Sequence, residues 1–234
     1  MLPDLAAERS PSEQPISVRP SPGWRTSSRT GLPRRCSAQQ GEMSSILDID
    51  LDYFNLVNAP AQRFKELLRW GKHPVAFTVE RHHHAFRRWR EMVERGLMSP
   101  PEHILHVDEH HDMMDERSVP NIANVMCHAL RTWPTCRIHW LVEEPIDSPC
   151  MWLSDETWEM FSGRFSLGPR IPDEWPTPDL VCVCTSPEFV DDALREQLMG
   201  IAVSPLWTRC SRQEAGVPHD RFSGPWNRDA PGRR

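Results

Sequence analysis

At 234 residues the chain is the size of one ordinary domain, or of one domain with tails, and its formal net charge of −6 gives no general basic footprint for nucleic acid. No apolar run approaches the roughly 20 residues of a membrane span, so a soluble, cytoplasmic protein with no membrane partner is expected. The seven cysteines (36, 127, 136, 150, 182, 184 and 210) are odd in number and form no CxxC pair, which argues against a disulfide framework or a zinc knuckle. Reduced thiols are expected, with Cys182 and Cys184 as core residues.

Residues 1–42 are rich in Pro, Ser and Arg, and their isolated apolar residues show no period, the pattern of a disordered extension. They lack the apolar core of a secretory signal, and Asp4, Glu8 and Glu13 argue against a transit peptide. Met43 stands just before the first strand and is a candidate start of translation. A folded domain is expected over residues 43–203.

Ile46–Asp52 reads as a strand. Ala61–Trp70 reads as a helix, with Phe64, Leu67 and Leu68 at helical spacing and Gly71 as its stop. Val75–Val79 follows as a strand, and His83–Arg95 as a helix carrying Phe86, Trp89 and Val93. Ile104–Asp108 is the third strand, Ile122–Leu130 a helix, and Arg137–Val142 and Leu180–Cys184 two further strands. From about Ser204 onward the chain returns to Pro, Gly and Arg without period, so residues 204–234 read as a disordered tail. Strands alternating with helices imply an α/β fold, a three-layer α/β/α sandwich around a mainly parallel sheet. Sites in such sheets form at the carboxyl ends of the strands.

The chemistry-bearing residues cluster at those ends. The first strand offers Asp48, Asp50 and Asp52; the second leads to His82, His83 and His84; the third leads to Asp108, His110 and Asp112. Asp108, His110 and Asp112 recur at every second residue and, on an extended segment, would share one face. Carboxylates so placed repel one another unless a cation or proton neutralises them. The set is too oxygen-rich for a structural zinc site and suits Mn²⁺ or Fe²⁺ better than Mg²⁺. Five carboxylates exceed the needs of one divalent ion, so a bridged pair that activates a hydroxide is the natural arrangement. Helix capping or turn formation remains an alternative for Asp50 and Asp52. Asp48 lies deeper and suits a supporting role behind the ligands, or a register using Asp48 and Asp50.

Asp108-Glu109-His110-His111-Asp112 resembles the Asp-x-His-x-Asp motif of the arginase and ureohydrolase superfamily. Asp50-Leu51-Asp52-Tyr53-Phe54-Asn55 resembles its Asp-x-Asp-x-x-Asp segment, with Asn in the last place. The phrases LDIDLDYF, VERHHHAF, HVDEHHDM and TSPEFV are similar to an arginase-like family that includes the bacterial peptide arginases, over roughly residues 44–200. The resemblance implies an arginase/deacetylase-like fold and two Mn²⁺ per chain, with Fe²⁺ as the alternative. It implies Asp108 and Asp50 as bridges, His82 and Asp112 on one ion, and His110 and Asp52 on the other. It further implies an arginine-containing peptide or small guanidino substrate, cleaved to ornithine and urea. His83, His111 and His106 are the candidate proton shuttles, and Glu188 or Glu143 the carboxylate that would hold the guanidinium.

The chain departs from ordinary arginases in three ways. Its Asp-x-Asp segment comes first, its core is shorter, and Val79-Glu80-Arg81 replaces the usual Gly-Gly-Asp before the histidine. Two rivals follow: a metal-dependent phosphoesterase of the Asp-His-His type, from Glu109-His110-His111, and a noncatalytic binding module.

Overall fold

In a computed structural model the described residues are 44–145 and 147–204. The expectations for residues 1–42, for Met43 and for the tail beyond Ser204 lie outside them.

Six strands form one all-parallel sheet in the order β2-β6-β1-β3-β4-β5. They are β1 (Ser44–Asp50), β2 (Val75–Val79), β3 (Pro101–Val107), β4 (Arg137–Leu141), β5 (Phe165–Gly168) and β6 (Leu180–Cys184). Four α-helices lie between them, α1 (Pro60–Gly71), α2 (His82–Glu94), α3 (Val125–Thr132) and α4 (Asp155–Ser162), and α5 (Asp192–Ala202) follows β6. The central strands are buried on both faces, as in β6, where Leu180 to Cys184 are all buried. Such two-sided burial is why they read as continuous apolar runs.

Alternation along the strands splits the core into two layers. Ile46, Ile104, Ile138, Trp140 and Cys182 pack against Phe86 and Trp89 of α2, Met126 and Leu130 of α3 and Phe161 of α4. Leu47, Ile49, Leu105 and Val181, one residue along, pack on the opposite face against Phe64 and Leu67 of α1 and Leu198 of α5. The result is the expected three-layer α/β/α sandwich, an arrangement consistent with an arginase-like fold. Helix α1 begins on Pro60, whose missing N–H costs nothing in the first turn. At its other end Gly71 meets the sheet closely: a Cβ there would sit 3.1 Å from both Leu47 Cδ2 and Val181 Cγ2.

Two expectations about strand ends need correction. Strand β1 stops at Asp50, and Leu51–Asn55 turn into a 3₁₀ helix. Asp50 caps that helix, its Oδ1 accepting from Asp52 N at 3.1 Å. Strand β3 likewise stops at Val107, and Asp108 Oδ1 accepts from His110 N at 2.6 Å. Short Asp side chains compete with the ladder for backbone N–H groups and divert the chain into turns. Asp108, His110 and Asp112 therefore lie on a turn, not along one strand face. Helix α3 starts at Val125 instead of Ile122, because Asn121, Asn124 and Asp115 tie the preceding loop together by side-chain hydrogen bonds. Strand β5 and helices α4 and α5 are elements that the periodicity reading left unassigned.

The connection from β1 passes by α1 on one face of the sheet, and that from β3 by α3 on the other. β1 and β3 are neighbours, so the crevice between their carboxyl ends is a topological switch point.

Candidate metal centre

The crevice is a cleft of 130 Å³. Its floor holds Asp50 and Asp52 from the end of β1, His82 from the start of α2, and Asp108, His110 and Asp112 from the turn after β3. All six residues expected as ligands are thus brought to one cavity. Its rim holds Arg81, Glu188 and an apolar wall that includes Met114, Ile122 and Phe189.

Among the described residues four groups of ligand-capable atoms lie at or beneath this floor, and two of them contain Asp108. Asp52, Asp108 and His110 make one, and His82, Asp108 and Asp112 the other; within each, one ligand atom per residue lies within 4.8 Å of the others. Asp108 belongs to both. Its Oδ2 is 3.0 Å from His82 Nδ1, and its Oδ1 is 3.8 Å from His110 Nδ1. One carboxylate with one oxygen toward each group is the geometry of a bridge.

The group with His82 and Asp112 converges on His82 Nδ1. That atom lies 3.3 Å from Asp50 Oδ2, 3.0 Å from Asp108 Oδ2 and 3.0 Å from Asp112 Oδ2. A single ring N–H cannot serve three carboxylates. Asp112 Oδ2 is buried without a hydrogen bond of good geometry. Burying unpaired carboxylate oxygens is costly, and a divalent cation is the species that relieves several at once. The residues therefore fit a metal centre, and two overlapping groups fit one or two ions.

Electrostatics gives the same picture. Burial pushes Asp50 up to about 7. Burial, with Asp52 and Asp112 adding their negative charge, drives Asp108 well above the carboxylate range. Burial acts likewise on Asp48 and Asp52, but His82 and His106 outweigh it and hold Asp48 below its ordinary value, and His110 does the same for Asp52. Against its own burial, His82 is raised well above the usual imidazole range by Asp48 and Asp50. The hydrogen bond to Asp52 raises His110. Without a metal, protons and a charged imidazole do the neutralising that a cation would do.

The backbone is held at this floor. Trp140 Nε1 donates to Asp108 O at 2.9 Å, and Met126 N donates to Asp112 O at 3.1 Å. Asp112 and Ser186 adopt positive φ, 50° and 36°, a conformation rare for side-chain-bearing residues and often kept at functional sites. Ser186 follows β6, and its hydroxyl donates to Asp50 Oδ2 at 2.6 Å. Ser186 and Arg81 are wall residues that spacing alone did not single out, although both follow strand ends, where the fold class puts sites.

The proton-shuttle candidates lie elsewhere. His111 is buried with Nδ1 accepting from Met113 N at 2.9 Å and Nε2 3.2 Å from Asp147 Oδ1, and burial pushes it down to about 4. His106 is buried beneath the floor, bonded to Asp48 and to His110 O. His83 meets the ring of His84 edge-on in the first turn of α2. None of the three lines the cleft. Glu188 does, and it pairs with Arg81 across the mouth. Glu143 instead accepts from Tyr53 OH at 3.1 Å, outside the cleft wall.

The cysteines at positions 127, 136, 150, 182 and 184 are free. Burial raises Cys182 and Cys184 well above the ordinary thiol range, so both are uncharged core groups. Among the described residues no helix is long and apolar enough to cross a membrane.

Fold and site together define an α/β protein with a buried carboxylate–histidine cluster, able to hold a metal ion, at the switch point of its sheet. No protein-family model, curated protein or solved structure matches the chain.

Proposed function

We propose that the protein is a dinuclear metal hydrolase acting on a guanidino group, with peptidyl arginine as substrate and ornithine and urea as products. The observation that carries the reading is the position of Asp108 between two ligand groups, one completed by His82 and Asp112 and the other by Asp52 and His110. The mixed imidazole and carboxylate set favours Mn²⁺, with Fe²⁺ next. When bound, such ions supply an activated water near neutral pH and stabilise developing charge.

The chain's own groups do the rest. Glu188 stands on the rim and already holds a guanidinium, that of Arg81, so its carboxylate suits the head of an arginine side chain. Met114, Ile122 and Phe189 offer an apolar wall for the methylene stem and keep water from it. Proton delivery to the leaving amine falls to His110 or to solvent through the open mouth, since His83, His106 and His111 do not reach the wall.

The test is direct. Protein loaded with Mn²⁺ releases urea from an arginine-containing peptide and holds close to two ions per chain, and Asp108→Ala abolishes both. Urea release unchanged by that substitution would refute the assignment. One observation favours a second reading, the phosphoesterase: Arg81 adds a cation at the rim, where a phosphate would need one. Release of phosphate or nucleotide, with no urea, would select it.

A further inference from the structure

Beneath the ligands lies a buried pair that the proposed reaction does not use. Asp48 of β1 and His106 of β3 are register partners, and Cys182 of β6 is Asp48's partner on the other side. Both Asp48 and His106 are 0 % exposed. Asp48 Oδ2 is 3.0 Å from His106 Nδ1 and 3.1 Å from His82 Nε2, while its Oδ1 accepts from Cys182 Sγ at 3.3 Å. His106 Nε2 faces His110 O at 3.1 Å. Both ring nitrogens of His106 therefore face oxygen atoms, and the ring spans Asp48 and the carbonyl of His110.

His82 is thus flanked. Nε2 is buried without a hydrogen bond of good geometry and has Asp48 Oδ2 beside it at 3.1 Å, while Nδ1 lies within 3.3 Å of Asp50, Asp108 and Asp112. An imidazole that binds a cation through one nitrogen must carry its proton on the other, and an acceptor opposite that nitrogen keeps the proton there. We infer that Asp48, held in place by its contact with His106, is a positioning residue that holds the proton of His82 on Nε2 and so presents Nδ1 as the lone pair of the metal centre. His106 ties this base to the ligand turn through the carbonyl of His110, so the pair also fixes the height of that turn above the sheet.

The inference rests on the metal reading of the preceding subsection and not on the identity of the substrate. Its test uses the full chain. In protein labelled with ¹⁵N at histidine and loaded with diamagnetic Zn²⁺, the His82 ring should show its proton on Nε2. Asp48→Asn, which can turn an N–H toward that nitrogen, should lose this signature and weaken Mn²⁺ binding, followed through the free-ion resonance, about 10- to 100-fold. Cys182→Ala, which touches the same carboxylate but not His82, should keep both. A loaded wild type with the proton on Nδ1 overturns the inference, as does a folded Asp48→Asn that binds Mn²⁺ like wild type. The wild-type spectrum needs no variant, so it decides the matter even if Asp48→Asn does not fold. A wild type that binds neither ion overturns the metal reading itself, and this inference with it.

Discussion

Asp50→Asn separates the cost of the metal-free centre from its use. Asp50 is 3 % exposed, and burial lifts it from 3.8 to about 7. A folded-state value above the unfolded one means stability that is fully present below pH 3.8 and lost as pH rises through about 7. At about 1.4 kcal/mol per pH unit, the displacement corresponds to about 4 kcal/mol lost across that window. His82 moves in the same sense, since its raised value also withdraws stability as pH climbs past it. Asn keeps the shape, its Oδ1 accepting from Asp52 N and its other end facing the Ser186 hydroxyl. In chelator, therefore, Asp50→Asn should be more stable than wild type at pH 8 by up to about 4 kcal/mol, with the difference vanishing near pH 4. Added Mn²⁺ should narrow that gap. At one hundred times its dissociation constant a single ion stabilises wild type by about 2.7 kcal/mol. For a chain of this size that is a melting rise of about 5–11 °C, and the variant should show less of it. Thermal unfolding at pH 4, 6 and 8, with chelator and with Mn²⁺, reads all of this. A metal-free variant no more stable than wild type at pH 8 would refute the account of crowded, mutually repelling carboxylates.

Other perturbations probe the rim and the support. Arg81→Ala removes the internal guanidinium from Glu188. Both partners are about half exposed, so stability should change by less than about 1 kcal/mol. The KM for a guanidino substrate should nonetheless fall severalfold, as steady-state kinetics would reveal, whereas Glu188→Gln should raise it. Trp140→Phe strips the donor from Asp108 O and leaves that buried carbonyl unpaired. The expected cost is about 1–3 kcal/mol, seen as a lower denaturant midpoint at constant slope, together with weaker Mn²⁺ binding.

Much of the fold was legible because its strands have two buried faces. Val75–Val79 and Leu180–Cys184 have the strand bounds expected from apolar runs alone, and the all-parallel sheet follows from their alternation with Phe64-Leu67-Leu68 and Phe86-Trp89 helices. Strand β5 was not legible. Phe165–Gly168 is a four-residue edge strand with a single buried side chain, Phe165, and so has too little apolar pattern to register. Helix α5 carries Leu194, Leu198 and Ile201 at helical spacing, a signal diluted by the acidic and polar residues of its exposed face. The site shows the same division. Residue type and the rule that sites form at strand ends suffice to gather Asp50, Asp52, His82, Asp108, His110 and Asp112 at one cavity. The means by which they meet was not legible, because a two-residue period looks the same in a strand and in successive Asp-capped turns. The turns matter chemically. An extended row would place Asp108, His110 and Asp112 about 7 Å apart and could offer no shared oxygen. Folding back at Asp108, with Asp112 in a left-handed conformation, turns one oxygen of Asp108 to each side. The same Asp side-chain chemistry that would have made these residues ordinary caps is what aims the two oxygens of Asp108 at two different ligand groups here.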